Sequence, residues 1–172
     1  IDINFYPTQE TKLSNTKHRP VGMGSMGWHD LYYALGISYD SDQALDLSNK
    51  IYEFISYYNI KSSALLAKER GKYQTYDGSL WSKDIFPVDT YIELMKLRTP
   101  GYNKTRADLE TLNWSEVRNL VKEHGMRNSN TMAIAPTATI SSIAGCCSTT
   151  EPYFSNISKS KKTSQKENQT SN

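Results

Sequence analysis

The sequence predicts an α/β fold with a parallel sheet or a barrel, and three observations carry that prediction. A short apolar run, Met132 to Ala135, is stopped by Pro136 and reads as a buried strand. Segments with apolar residues at three- and four-residue spacing precede it, and a further short helical piece follows. The run then opens into Thr137, Ala138, Thr139, Ile140, Ser141 and Ser142, small and hydroxylated residues suited to the first turn of a helix. Helices before and after a buried strand are the pattern of the α/β class. One strand makes no sheet, so other segments must supply strands or the chain is one piece of a larger domain.

The bulk properties set bounds on this reading. With 172 residues the chain is long enough for one domain with a real core. It is only moderately apolar, with a mean hydropathy of −0.64. No apolar run approaches the ~18 residues of a membrane span, and no signal peptide pattern is present. The first residue is Ile rather than Met, so Ile1 is not expected to be a natural start. Cys146 and Cys147 are adjacent, and neighbouring cysteines seldom bridge each other. That usage points to a reducing, cytoplasmic setting. Residues 158–172 hold four lysines against one glutamate, net +3, while the other 157 residues hold 16 basic and 17 acidic side chains, net −1. The body is close to neutral, so the basic pI is no evidence for a nucleic-acid surface.

In chain order, Ile1 to Tyr6 alternates enough for a strand that Pro7 ends. Residues 8–20 are polar and read as a surface connection. Val21 to Leu35 carries Gly22, Gly24 and Gly27, which fit GxGxxG literally. A dinucleotide fingerprint needs a strand just before it, where Arg19-Pro20 stands here. The alternative is a helix whose glycines allow close packing, with Trp28, Leu31, Tyr32 and Leu35 on its apolar side and Gly36 as its stop. The clearest helix runs from a cap at Asp40 or Ser41 to Gly71, with a break near Asn59 as an option for so long a segment. Its expected stripe is Ala44, Leu45, Ile51, Phe54, Ile55, Tyr58, Ala64, Leu65 and Ala67. The Tyr57-Tyr58 pair is read as packing rather than as an electron path.

Lys72 to Phe86 is irregular, with a turn at Asp77-Gly78. Pro87 to Arg98 is a helix opened by its proline, and Thr99 to Arg106 a loop. Asn113 is expected to cap the next helix, with Glu116 completing a capping box and Gly125 as the end. Met126 to Asn130 links that helix to the central strand. Residues 158–172 contain no apolar residue and are expected to be a disordered tail.

The candidate site is the junction after the strand. A strand that feeds a helix N-terminus leaves backbone N–H groups without internal partners at the positive end of the helix dipole. Hydroxyls on Thr137, Thr139 and Ser141 add donors at close spacing. The arrangement suits a phosphate or another anion. Many strand–helix junctions carry Ser and Thr only as a plain helix cap, and that is the alternative here.

Four stretches carry a resemblance. RPVGMGSMGWHD (Arg19 to Asp30), LAKERGKYQTYDGSLWSKDIFPVDTY (Leu66 to Tyr91), HGMRNSNTMAIAPTATISSIAG (His124 to Gly145) and EPYFSNI (Glu151 to Ile157) resemble the large, catalytic subunit of class I ribonucleotide reductase. They occur in the family's order and at similar spacing, over about residues 1–157. The resemblance implies a portion of a ten-stranded α/β barrel, with residues 1–157 as a barrel fragment. It implies reduction of ribonucleoside diphosphates to deoxyribonucleotides by radical chemistry. In the family, the turn matched by Pro136, Thr137, Ala138, Thr139 and Ile140 cradles the substrate diphosphate. No cofactor is expected on this segment. The family draws its radical from a small subunit with a dinuclear metal, responds to ATP and dATP, and takes electrons from thioredoxin or glutaredoxin. The large subunit forms a homodimer; no membrane or nucleic-acid partner is implied.

The departures bound the expectation. The family's thiyl-forming cysteine, its reducing cysteine pair and the Asn and Glu that handle protons belong to motifs not matched here. The tyrosine pair that passes the radical is not matched either. Cys146 and Cys147 fall where family members vary, so no catalytic residue is assigned and the segment alone is expected to be inactive. After Ile157 the tail is unrelated to the family. The adenosylcobalamin-dependent class shares parts of the MRNS and IAPT patterns, although Tyr73 to Tyr91 looks more like class I. A non-catalytic fragment or interaction module, its lysine tail on an acidic partner, is the alternative from another class.

Overall fold

The structure, a computed structural model, describes residues 1–155. The expected disordered tail, residues 158–172, lies outside the described residues, as do the last two residues of the expected unit 1–157. Seven α-helices are present among the described residues: α1 (Gln9–His18), α2 (Trp28–Leu35), α3 (Asp42–Arg70), α4 (Pro87–Arg98), α5 (Arg106–Leu109), α6 (Trp114–His124) and α7 (Ala138–Ala144). A short 3₁₀ turn, Trp81–Lys83, precedes α4.

The long helix α3 organises the packing. Ser41 Oγ accepts from the Ala44 N–H at its start, and the Gly71 N–H closes its end on the Ala67 carbonyl. No break interrupts it at Asn59. Its N-terminal part packs on α2, burying Trp28, Tyr32 and Ala44 with Leu47 and Ile51 around them. Its C-terminal part packs on α6, where Tyr57, Ile60 and Ala64 meet Trp114, Val117 and Val121. Tyr73, Tyr76, Phe86 and Met126 complete that second core. The helical period explains the burial of Ala44, Ala64 and Ala67, but Leu45, Phe54, Tyr58 and Leu65 of the expected stripe are exposed. The buried tyrosine of the pair is Tyr57, whose ring meets Trp114 edge to face.

The α/β expectation is corrected here. Among the described residues there is no strand and no sheet or barrel, only one isolated parallel bridge between Met23 and Met132. Three backbone bonds make it: Val21 N–H to Asn130 O (3.0 Å), Met23 N–H to Thr131 O (3.1 Å) and Ala133 N–H to Met23 O (3.0 Å). The physical reason is the lack of neighbours. Among the described residues the 131–135 segment pairs on one edge only, Pro136 has no N–H to extend the ladder, and Ile134 is 65% exposed. The expected buried strand is an extended, half-open segment. Ile1 to Tyr6 is no strand either. The Tyr6 hydroxyl donates to the Ile1 carbonyl (2.7 Å), Arg19 holds Asp2 in a bidentate ion pair, and Ile3 stays 98% exposed.

The glycine-rich stretch is extended up to Gly27, and α2 begins only at Trp28. Its glycines do allow close packing, but of one backbone on another. A Cβ on Gly24 would stand 2.5 Å from the Ala133 carbonyl oxygen, and one on Gly22 would stand 2.9 Å from Ala133 Cβ. Gly36 stops α2 in the left-handed region, as its position suggests.

The expected capping box on α6 does not form. The Asn113 side chain accepts from Ser115 Oγ (2.6 Å), and Glu116 instead pairs with Lys61 (2.6 Å) and accepts from the Tyr57 hydroxyl (2.9 Å). Tertiary partners on α3 outcompete the local cap.

Candidate functional site

The Met126–Asn130 link is strapped down before the turn begins. The Arg127 guanidinium donates to the carbonyls of Arg70 (2.9 Å) and Gly71 (3.0 Å), satisfying the end of α3. Asn128 and Ser63 exchange hydrogen bonds of 3.0 and 3.1 Å, and the Asn128 amide also donates to the Arg19 carbonyl (2.9 Å). Trp81 Nε1 reaches the Ser129 carbonyl at 2.9 Å. This anchors the chain where the parallel bridge to Val21–Met23 starts.

The five predicted site residues follow. Pro136 is exposed. Thr137 caps α7 with φ 51° and ψ 21°, a left-handed backbone for a β-branched residue. Such a conformation costs on the order of 1–3 kcal/mol and persists only where surroundings hold it. Ala138, Thr139 and Ile140 form the exposed first turn. No side chain caps this helix, and among the described residues no acceptor meets the N–H groups of Ala138, Thr139 and Ile140. The first intrahelical bond is from Ser141 N–H to Thr137 O (2.9 Å). The turn therefore presents three free donors at the positive end of α7.

The hydroxyls are arranged differently from the sequence expectation. Thr137 Oγ1 accepts the Thr149 N–H (2.8 Å), and Ser141 Oγ is buried and turned back toward the Ala138 carbonyl (3.4 Å). Only Thr139, exposed and without a hydrogen-bond partner among the described residues, has its hydroxyl free.

A clasp behind the turn was not legible in the sequence. The Gly27 N–H donates to the Cys147 carbonyl (2.9 Å), the His29 N–H to Cys147 Sγ (3.2 Å), and the Cys147 N–H to Asp30 Oδ2 (2.6 Å). The Tyr153 N–H donates to His29 Nδ1 (2.6 Å) and its hydroxyl to Asp30 Oδ1 (3.0 Å). The Tyr39 hydroxyl reaches the Thr150 carbonyl. The Cys147 N–H and the Tyr153 hydroxyl hold the Asp30 carboxyl below the usual aspartate range, against the opposing effect of burial. From the sequence Asp30 lies only within the expected Val21–Leu35 helix, and no pattern there signals this role.

Cys147 is buried and Cys146 half-buried; both thiols are free. Cys147 is thus a packing residue of the clasp. No group of three or more His, Cys, Asp or Glu side chains among the described residues could hold a metal ion. No helix among the described residues is long and apolar enough to cross a membrane.

The family model described as "Ribonucleotide reductase, barrel domain" matches residues 1–172. The chain belongs to this family. Its described residues nevertheless carry only the single parallel bridge, whatever the family's description says of a barrel. Among curated relatives, it is 48% identical over 158 residues to the ribonucleoside-diphosphate reductase subunit alpha of Chlamydia pneumoniae, covering 91% of this chain and 15% of that protein. It is 40% identical over 155 residues to the Helicobacter pylori subunit alpha, covering 90% of this chain and 19% of the relative. It is 38% identical over 157 residues to the large subunit of Monkeypox virus, covering 91% of this chain and 19% of the relative. The chain thus spans less than a fifth of the length of these reductase subunits.

Proposed function

We propose that this chain supplies the substrate diphosphate-binding turn of a ribonucleoside-diphosphate reductase large subunit, with Pro136, Thr137, Ala138, Thr139 and Ile140 as the cradle. The observation that carries the reading is the set of three free N–H groups at Ala138–Ile140, held by a left-handed Thr137, within a chain of this family. Free N–H groups at a helix start complement anionic oxygens, and hydrogen bonds to charged acceptors are the stronger kind. The Thr139 hydroxyl adds one more donor. Pro136 has no N–H and fixes the approach of the chain.

In this reading the substrate is a ribonucleoside diphosphate whose ribose is reduced by radical chemistry elsewhere in the enzyme. The radical comes from a small subunit with a dinuclear metal, the reductant is thioredoxin or glutaredoxin, ATP and dATP are effectors, and the large subunit is a homodimer. The segment itself binds no cofactor and is inactive alone. A reducing, cytoplasmic setting suits its two free thiols.

The test is calorimetric titration of a ribonucleoside diphosphate into the chain and into its Thr139→Glu variant. The added carboxylate repels the diphosphate and removes a donor, so affinity falls more than about tenfold. The uncharged ribonucleoside binds far more weakly than the diphosphate. Equal affinity of the Glu variant rejects the cradle.

A further inference from the structure

We propose that Asp30 is a positioning residue for the diphosphate turn, acting through the Cys147–Thr149 segment. The proposal rests on the cradle reading above. Thr137 has to stay left-handed for the N–H groups of Ala138, Thr139 and Ile140 to point outward together. A threonine left to itself leaves that region for the broad β or right-handed basins. The contact that holds it is the Thr149 N–H on Thr137 Oγ1 (2.8 Å). Thr149 is itself left-handed at φ 43° and is 5% exposed, so it too is held by its surroundings.

The support for Thr149 comes from α2. Two residues before it, the Cys147 N–H is bound by Asp30 Oδ2 at 2.6 Å, and four residues after it the Tyr153 hydroxyl is bound by Asp30 Oδ1 at 3.0 Å. One carboxylate thus grips the chain on both sides of Thr149. Both of its oxygens are engaged, one by each partner. The Gly27 and His29 N–H groups add two bonds to Cys147, but these come from backbone that any side chain leaves in place. Among side chains, the His29 ring accepts the Tyr153 N–H and the Tyr39 hydroxyl reaches the Thr150 carbonyl, but only Asp30 grips the chain on both sides of Thr149. Gly27, just before Asp30, takes the left-handed backbone (φ 84°) that glycine adopts most readily.

The test is a double-mutant cycle on the whole 172-residue chain with inorganic pyrophosphate as probe, read by calorimetry and by amide exchange at Thr149. Asp30→Ala removes the grip, and Thr137→Val removes the acceptor while keeping the shape. Each weakens pyrophosphate binding by about tenfold, on the scale of one lost hydrogen bond. The double variant loses about tenfold as well, because both break one chain of contacts. Asp30→Asn, which keeps an oxygen for the Cys147 N–H, stays within about threefold of the parent. Thr149 amide protection falls in Asp30→Ala and survives in Thr139→Glu.

Pyrophosphate binding by Asp30→Ala equal to that of the parent overturns the proposal and leaves the cradle standing. So does an additive loss of about a hundredfold in the double variant, since Asp30 then acts by another route. Failure of the parent chain to bind pyrophosphate rejects the cradle, and the proposal falls with it. If Asp30→Ala does not fold, Thr137→Val decides the matter: unweakened binding by that variant refutes the positioning contact.

Discussion

Glu53 shows how much of this molecule is set by single side chains. Its carboxylate accepts from the Thr111 N–H (2.6 Å), Thr111 Oγ1 (2.5 Å), the Leu112 N–H (3.1 Å) and Trp114 Nε1 (2.9 Å), pinning the start of α6 to the middle of α3. Glu53→Ala strands those donors and destabilises the chain by about 2–3 kcal/mol, measurable by urea unfolding. Burial pushes the Glu53 carboxyl up, but the Thr111 and Trp114 donors outweigh it and hold the group below the usual glutamate range. A depressed folded value contributes stability that is present above the unfolded pKa of about 4.3 and is lost as pH falls through the folded one. Urea midpoints measured downward from about pH 5 therefore fall less steeply in Glu53→Gln than in the parent chain. None of this was legible in the sequence, where Glu53 is one acid in a helix and its partners lie 58 to 61 residues away. The same holds for Glu116. Its spacing from Asn113 satisfies a capping pattern, yet Lys61 and Tyr57 claim it. Local pattern finds local bonds, and these bonds are tertiary.

At the scale of elements, helices with complete end signals were legible. The Ser41 cap and Gly71 stop of α3, the Pro87 opening of α4 and the Gly125 end of α6 all stand where composition puts them. The strands were not, because a strand is defined by partners that sequence pattern does not supply. Met132 to Ala135 has a strand's composition, but among the described residues its backbone bonds only to the Met23 carbonyl. The GxGxxG spacing hid the function of Gly22 and Gly24, which is to let two extended segments touch. Gly24→Ala drives a Cβ to 2.5 Å from the Ala133 carbonyl. Backbone has to move, at a cost of about 1–3 kcal/mol. The expected outcome is a lower thermal midpoint together with loss of amide protection at Met23 and Ala133. Gly78→Ala, where nothing lies within 4 Å, serves as the comparison for a left-handed glycine without a close neighbour.

At the scale of the whole molecule, the two cores along α3 and the clasp on α2 bring Asp30, Thr149 and Thr137 together from distant parts of the sequence. The turn proposed as the cradle reads in the sequence as an anion-binding pattern. The clasp behind it was not legible there, since its bonds are largely from backbone N–H groups whose acceptors are chosen by the fold. Incubated with a ribonucleoside diphosphate and a dithiol reductant, the chain forms no deoxyribonucleotide detectable by chromatography. Turnover would refute the assignment of the radical chemistry to other parts of the enzyme. The most direct test of the central claim is an amide-resolved NMR titration of the chain with inorganic pyrophosphate. Saturable shifts concentrated at Ala138, Thr139 and Ile140 are the expected outcome. Shifts centred instead on the cavity of about 770 Å³ lined by Lys72, Lys83, Arg118 and Lys122, or no saturable shift at all, would contradict it.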